Sequence, residues 1–346
     1  MINSVPDSES AAEWVFPDEE WEEASSESQG VDARRLQEAM DCLAGICLDQ
    51  GTEQSLVVRN GRLIWQGPDV DNKHTVWSCT KTFMSAAFGL LVDDGKCSPD
   101  TLAADADPRL RELYPAVTLR QFASFTSGYA HVDVDHPFDP VEPLYAPGEY
   151  FHYSQSSDEL AHVLARIAGE PLRDLFRRRI ADRIGMKAGE WSWGDWGVVD
   201  GIAVCGGSGS YEKGISITAR QMARFGMLYA TGGRWRGRQL LSREWIEESC
   251  RPQMPNTLPP FDAEAWYLRL PGSYGLNIWL NGITPGDRRM WPDAPPGTVA
   301  IQGNMNNICF AIPEWRMVLV RMGTDGRIDL DRYTDVFAAL RRALRD

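Results

Sequence analysis

Apolar positions first recur at helical spacing between Val31 and Leu48, where Leu36, Met40, Leu43 and Ile46–Cys47 share one face. Two short apolar runs follow, Ser55–Arg59 and Arg62–Trp65. Asn60–Gly61 joins them, and because both residues tolerate positive φ the pair predicts a tight hairpin. From Ser78 to Asp94 the residues Phe83, Ala86, Ala87, Leu90 and Leu91 cover most of a helical circumference, which predicts a buried helix. Helical patterns then dominate to about residue 200, at Thr118–Thr126, Ser156–Ala168 and Leu172–Ile184. Another amphipathic helix, Ile217–Tyr229, stops at Gly232–Gly233. Strand-like runs return at Gly275–Leu280, Ile308–Ile312 and Met317–Met322, and a helix over Asp331–Leu344 closes the chain.

Strands early and late with helices between predict an α/β (α+β) fold. One antiparallel sheet is built from both ends of the chain and flanked by N- and C-terminal helices, and the helical middle is an insertion. The expected division is an irregular arm over 1–30, a sheet domain over 31–97 and 201–346, and an all-helical domain over 98–200. Trp14, Phe16 and Trp21 are available to pin the arm to the body, and the acidic stretch Asp18–Glu27 reads as solvated.

Composition narrows the function classes. A chain of 346 residues with 43% hydrophobic content buries a large core without covalent staples. A net charge of -14 and a pI near 4.9 argue against a nucleic-acid or anionic-membrane partner, because phosphates are repelled. No apolar run is long enough to span a membrane. Seven scattered cysteines without a Cys-x-x-Cys pair suit reduced, mostly buried thiols. The N-terminus lacks a basic region followed by an apolar run, which favours the cytoplasm; a leader removed before residue 1 would make the protein periplasmic. Oligomeric state is not legible.

The candidate chemistry starts at Ser78-Cys79-Thr80-Lys81, at the head of the buried helix. A serine in a first helical turn has a backbone N–H outside the helix ladder, at the positive end of the dipole. That N–H can donate to a developing oxyanion. Residues three apart share a face, so the Lys81 amine can reach the Ser78 hydroxyl, and a poorly hydrated lysine has a lowered pKa suited to a base. The spacing alone reads more simply as an N-cap serine followed by an exposed helix lysine. Two neighbours tilt the balance. Lys81 sits among Val76, Trp77, Phe83, Met84 and Phe88, where a charge is costly unless paired or used. Downstream, Pro147–Gln155 presents Tyr153 on a turn directly before a helix, where a phenol can move a proton.

The ordered segments Val57–Trp65, Trp77–Phe83, Thr118–Gly128, Pro147–Gln155 and Ala219–Leu228 together resemble the serine beta-lactamase and penicillin-binding-protein-like superfamily, from about residue 31 to the C-terminus. The nearest likeness is to its class C beta-lactamase-related group of esterases, D-amino-acid peptidases and 6-aminohexanoate-oligomer hydrolases. The resemblance implies a beta-lactamase/transpeptidase-like fold with the site between the sheet and helical domains. It implies Ser78 as acylated nucleophile, Lys81 as its partner and Tyr153 as the tyrosine of the Tyr-x-Asn element. Gln155 stands where that element has asparagine. The strand with Lys-Thr-Gly or His-x-Gly matches Ile301-Gln302-Gly303-Asn304, which begins without a cation. Gln155, Gln302, Gly303 and Asn304 are therefore expected to line the substrate site, with the Asn304 N–H as second oxyanion donor.

His131, Asp133 and Asp135 alternate as metal ligands do, yet the segment reads more simply as a solvated loop over the cleft, so no metal and no cofactor are expected. Gly206–Ser210 lacks the Lys-Ser/Thr end of a phosphate loop. Trp191, Trp193 and Trp196 suit core packing, and His152 should point away from Tyr153. The expected activity is a serine hydrolase acting on small esters or amides through an acyl-enzyme. The alternatives are a beta-lactamase or D-alanyl carboxypeptidase proper, and a binding protein that keeps the fold without turnover.

Overall fold

Asn60 (φ 54°) and Gly61 (φ 84°) both take left-handed backbone conformations, so the chain reverses in two residues and joins β1 (Gln54–Arg59) to β2 (Arg62–Gln66). The structure, a computed structural model, describes residues 14–47, 49–129, 139–154, 156–207, 211–262, 270–326 and 332–345. Helix α1 (Ala33–Ile46) precedes the hairpin, with the Asp32 carboxylate capping it through the Arg35 N–H at 3.0 Å. After β3 (His74–Thr75), a 3-10 turn over Trp77–Cys79 leads into α2 (Thr80–Asp93). The short helices α3 (Ala103–Ala106) and α4 (Leu119–Ala123) follow, then α5 (Ser156–Ala168) and α6 (Leu172–Phe176).

The chain then forms β4 (Trp191–Trp193), β5 (Asp195–Val199), β6 (Ile202–Cys205) and β7 (Ile215–Ile217). Helix α7 (Ala219–Ala230), the β8 (Arg234–Trp235) and β9 (Arg238–Gln239) hairpin and α8 (Arg243–Ser249) come next. Strands β10 (Trp279–Leu280), β11 (Ile283–Thr284), β12 (Arg288–Arg289), β13 (Val299–Gly303), β14 (Asn307–Ile312) and β15 (Met317–Met322) lead to α9 (Tyr333–Ala343).

Both ends of the chain build one antiparallel sheet, in the order β10-β13-β14-β15-β1-β2. Its residues alternate between two cores. Leu56, Val58, Ile301, Cys309, Ala311, Val318 and Val320 pack on the side of α2 and α7. Val57, Ala300, Ile308, Phe310, Ile312, Met317 and Leu319 pack on the side of α1 and α9. Each fully buried aliphatic or aromatic side chain contributes roughly 1.5–3 kcal/mol over exposure. A one-residue slip would move every one of them to the wrong layer, so the register is strongly specified.

Three sequence expectations are corrected. The run Gly275–Leu280 is a strand only at Trp279–Leu280, because Asn277 lies at φ 60° and the Gly275 N–H turns back to the Ile278 carbonyl. The Leu276 and Asn277 carbonyls accept from Ser85 and Thr82 of α2 instead of from a neighbouring strand. Leu172–Ile184 is not one regular helix: α6 passes into a π-helical turn over Arg177–Ala181. The helix expected from Ile217 starts at Ala219, since Ile215–Ile217 pairs with β3 and β4.

The acidic residues from Asp18 to Glu27 are exposed, as expected, but their backbone is held. The buried Arg224 of α7 donates to the carbonyls of Asp18 (2.7 Å), Glu19 (2.9 Å) and Ile184 (2.9 Å), and Trp21 is buried beside it. Further along, the arm adds to the sheet edge through Ala24 N–H to Leu63 O at 3.0 Å. All seven cysteines are free thiols, four of them buried. No helix among the described residues is long and apolar enough to cross a membrane.

Candidate active site

Trp77 holds φ at 46°, a left-handed conformation costly for a bulky residue, immediately before Ser78. The strained residue turns the chain abruptly from β3 into the helix, and Ser78 is left half-buried in its first turn. Helix α2 is fixed on all sides: every residue from Thr80 to Leu91 is buried, and Thr80, Thr82 and Ser85 bond to the backbone at Ile215, Asn277 and Leu276. One turn on from Ser78, at the second residue of this helix, the Lys81 amine donates to Ser78 Oγ at 3.0 Å with only 3% of the lysine exposed. Burial pushes the Lys81 amine down to about 8, against the pull of the Asp158 carboxylate. An exposed helix lysine is thereby excluded for this chain.

Tyr153 approaches from the segment before α5. Its ring stacks on Trp279 (5.4 Å between centroids) and lies against Phe125 (4.6 Å) and Tyr274 (5.9 Å). The Lys81 amine stands 5.1 Å from the Tyr153 ring centre. Burial holds the phenol well above its ordinary pKa, while a hydrogen bond with Ser78 acts the other way. At neutral pH Tyr153 therefore keeps its proton, and Lys81 is the group closer to losing one.

Strand β13 closes the third side. A methyl group on Gly303 would lie 2.0 Å from the Val76 carbonyl oxygen, 3.1 Å from the Ser78 nitrogen and 3.0 Å from the Cys79 nitrogen. Only glycine lets this strand pass so near the Ser78 turn. Gln302 and Asn304, on either side, are half-buried. Ser78, Lys81, Tyr153 and Gly303 are thus brought together from three separate chain segments.

A family model described as Beta-lactamase matches residues 53–341. The chain belongs to the beta-lactamase family of hydrolases. Solved structures share the fold at low identity. A protein assigned as a 6-aminohexanoate-dimer hydrolase from Bacillus anthracis is 20% identical, with TM-score 0.66 over 93% of this chain and 87% of that one. A family VIII carboxylesterase is 17% identical, with TM-score 0.66 over 91% and 99%. A penicillin-binding protein homologue from Caulobacter crescentus is 17% identical, with TM-score 0.66 over 90% and 99%.

Within this beta-lactamase fold, Ile301, where the sequence resemblance expects the family's strand cation, is fully buried in the α2-side core. Gln155 and the His131–His136 segment lie outside the described residues. The His152 ring lies 5.1 Å from that of Phe261, while the His152 N–H donates to the Phe125 carbonyl at 2.9 Å. Gly206 and Gly207 serve close packing: a methyl on Gly207 would meet the Ser157 carbonyl at 2.1 Å, and its N–H donates to Asp158 at 2.8 Å. Trp193 is buried, and Trp191 and Trp196 pack against the same core.

Sequence reasoning missed Asp158, which biases Lys81, and the Trp279–Phe125 shelf beneath Tyr153. The one available signal was Asp158 in the first turn of the helix after Tyr153. It also missed a buried ionic cluster in which Arg109 bonds Asp107, Glu159 (2.7 Å) and His162, and Tyr129 donates to Glu159 at 3.0 Å. Asp107, Glu159 and His162 lie close enough to hold a metal ion, but the Arg109 guanidinium occupies their midst. Glu159, His162 and Arg166 at i, i+3 and i+7 of one helix were the readable sign.

Proposed function

We propose that this beta-lactamase-family chain is a serine hydrolase that transfers the acyl group of a small neutral ester or amide to water, through an acyl-enzyme on Ser78. The observation that carries the reading is the 3.0 Å hydrogen bond from a buried lysine, with its pKa brought down to about 8, to a helix-start serine. In acylation the Ser78 Oγ bonds to the substrate carbonyl carbon while its proton passes to neutral Lys81. The Ser78 and Asn304 N–H groups receive the oxyanion. As the tetrahedral adduct collapses, the carbonyl–leaving group bond breaks and Tyr153, recharged by Lys81, protonates the departing alkoxide or amine. Water then attacks the acyl carbon, giving up a proton to the same pair; the acyl–Oγ bond breaks, the pair returns that proton to Ser78 Oγ, and the acid leaves.

The neutral substrate follows from Ile301. A buried aliphatic side chain offers no charge to a substrate carboxylate, so ring-carboxylate beta-lactams lose an anchor. Gln155, Gln302 and Gly303 would border the acyl group, and residues 98–200, helical except for β4 and β5 at their end, would form the domain on the Tyr153 side. A panel of p-nitrophenyl esters, a linear amide dimer, a D-alanyl peptide and nitrocefin tests this. Turnover of ester or linear amide well above nitrocefin is expected. Nitrocefin as the best substrate would overturn the neutral-substrate reading, and no burst on any member would favour a binding protein.

A further inference from the structure

Asn304, the proposed second oxyanion donor, begins the turn between β13 and β14, and that turn is strained. Met305 (φ 57°) and Asn306 (φ 58°) both hold left-handed conformations, and neither is glycine. Two wholly buried polar side chains grip the turn from beneath. The Asn307 amide donates to the Asn304 carbonyl at 2.7 Å and to the Gly323 carbonyl at 2.9 Å, while its oxygen accepts from the Gly323 N–H at 3.2 Å. Arg321, on the central strand β15 and 0% exposed, donates to the Met305 carbonyl at 3.0 Å, the Gly51 carbonyl at 3.0 Å and the Asp325 carboxylate at 2.6 Å. Asp325 in turn accepts from the Gln50 N–H at 3.0 Å. A methyl on Gly323 would strike the guanidinium at 2.5 Å, so the chain leaves room for it there.

A buried guanidinium and carboxamide are poor means of stabilising a sheet, since apolar residues of the same volume do so without desolvation cost. What these two do is tie the turn to fixed points: the start of β1 and the end of β15. We propose that Arg321 and Asn307 are positioning residues, which hold the Met305–Asn306 turn so that the Asn304 N–H stays aimed beside the Ser78 N–H. The inference rests on Ser78 being the nucleophile and deepens that reading. Oxyanion donors act through placement, and a shift of about 1 Å costs on the order of 100-fold in rate. Neither residue is among those expected to line the substrate site, so binding should be spared.

The test compares Arg321→Met and Asn307→Ala with wild type on a p-nitrophenyl ester, below the melting temperature of each variant. Arg224→Met serves as control, removing a buried arginine that grips the N-terminal arm. Either turn variant should lose about 10–100-fold in kcat with KM within about threefold, while Arg224→Met keeps its kcat despite a lowered Tm. Should Arg321→Met fail to fold, Asn307→Ala decides. Wild-type kcat in a folded turn variant overturns the inference, as does an equal kcat loss in Arg224→Met. Ser78→Ala separates the two levels. Full turnover in that variant would mean the nucleophile assignment has failed, whereas an inactive Ser78→Ala beside a fully active Asn307→Ala removes only the positioning role.

Discussion

Adding a single methyl group at Gly303 puts the geometry of the site under direct strain. In Gly303→Ala the new carbon would sit 2.0 Å from the Val76 carbonyl oxygen, about 1.4 Å inside the 3.4 Å at which ordinary contact begins. Two further atoms, the Ser78 and Cys79 nitrogens, lie within 3.1 Å of it. All three are backbone, so no rotamer change relieves the overlap. Strand β13 must retreat from the Ser78 turn by roughly 1 Å, or the turn must yield, and Trp77 is already strained there. Overpacking of this kind costs about 1–3 kcal/mol of stability, and displacement on that scale at a reacting centre costs on the order of 100-fold in rate. Steady-state kinetics on a p-nitrophenyl ester, with a thermal melt of the same sample, reads both. The expected result is a drop of about 100-fold in kcat with a lowered Tm and a smaller change in KM. A variant with wild-type kcat and Tm would refute the close approach of β13 to Ser78.

Lys81→Met should abolish the burst and lower kcat by about 10²–10⁴-fold, yet leave Tm unchanged or higher, because it removes a desolvated charge; a large Tm loss would point to a structural lysine. The ester kcat/KM should rise with pH and level off above about 8 as Lys81 loses its proton, and a profile flat from pH 6 to 9 would contradict a lysine base. Tyr153→Phe keeps the stack on Trp279 and should lower kcat by about 10²–10⁴-fold without altering Tm; retention of full activity would remove the phenol from proton transfer. Burial raises the Glu159 carboxyl to about 7, against Arg109. Its protonated form is thus favoured in the folded state, a contribution fully present below pH 4.5 and lost as pH rises through about 7. Relative to Glu159→Gln, wild type should lose stability over that window by on the order of 1–3 kcal/mol, and parallel denaturation curves from pH 4 to 8 would count against it.

Much of the site was legible because its parts are local. Ser78 and Lys81 share one helix turn within an apolar run, and Asn60–Gly61 encodes its own reversal, so neither depends on distant partners. The short apolar runs of β14 and β15 likewise announced the sheet. What escaped depends on long-range contacts. The 3-10 start of α2 follows from Trp77 at positive φ, which no propensity favours. The bend at Asn277 is fixed by hydroxyls of α2 almost two hundred residues earlier. Arg321 is a lone charge near the end of an apolar strand run, and only the fold places it beneath the Met305 carbonyl. Asp107 and Arg109 similarly meet Glu159 and His162 across some fifty residues, a pairing no spacing rule supplies.

Trapping the covalent intermediate tests the central claim most directly. Intact-protein mass spectrometry after exposure to a fluorophosphonate, followed by peptide mapping, should find one adduct, on the peptide carrying Ser78, and none in Ser78→Ala. Equal labelling of the two proteins, or an adduct mapped to another residue, would contradict the assignment of Ser78 as the nucleophile.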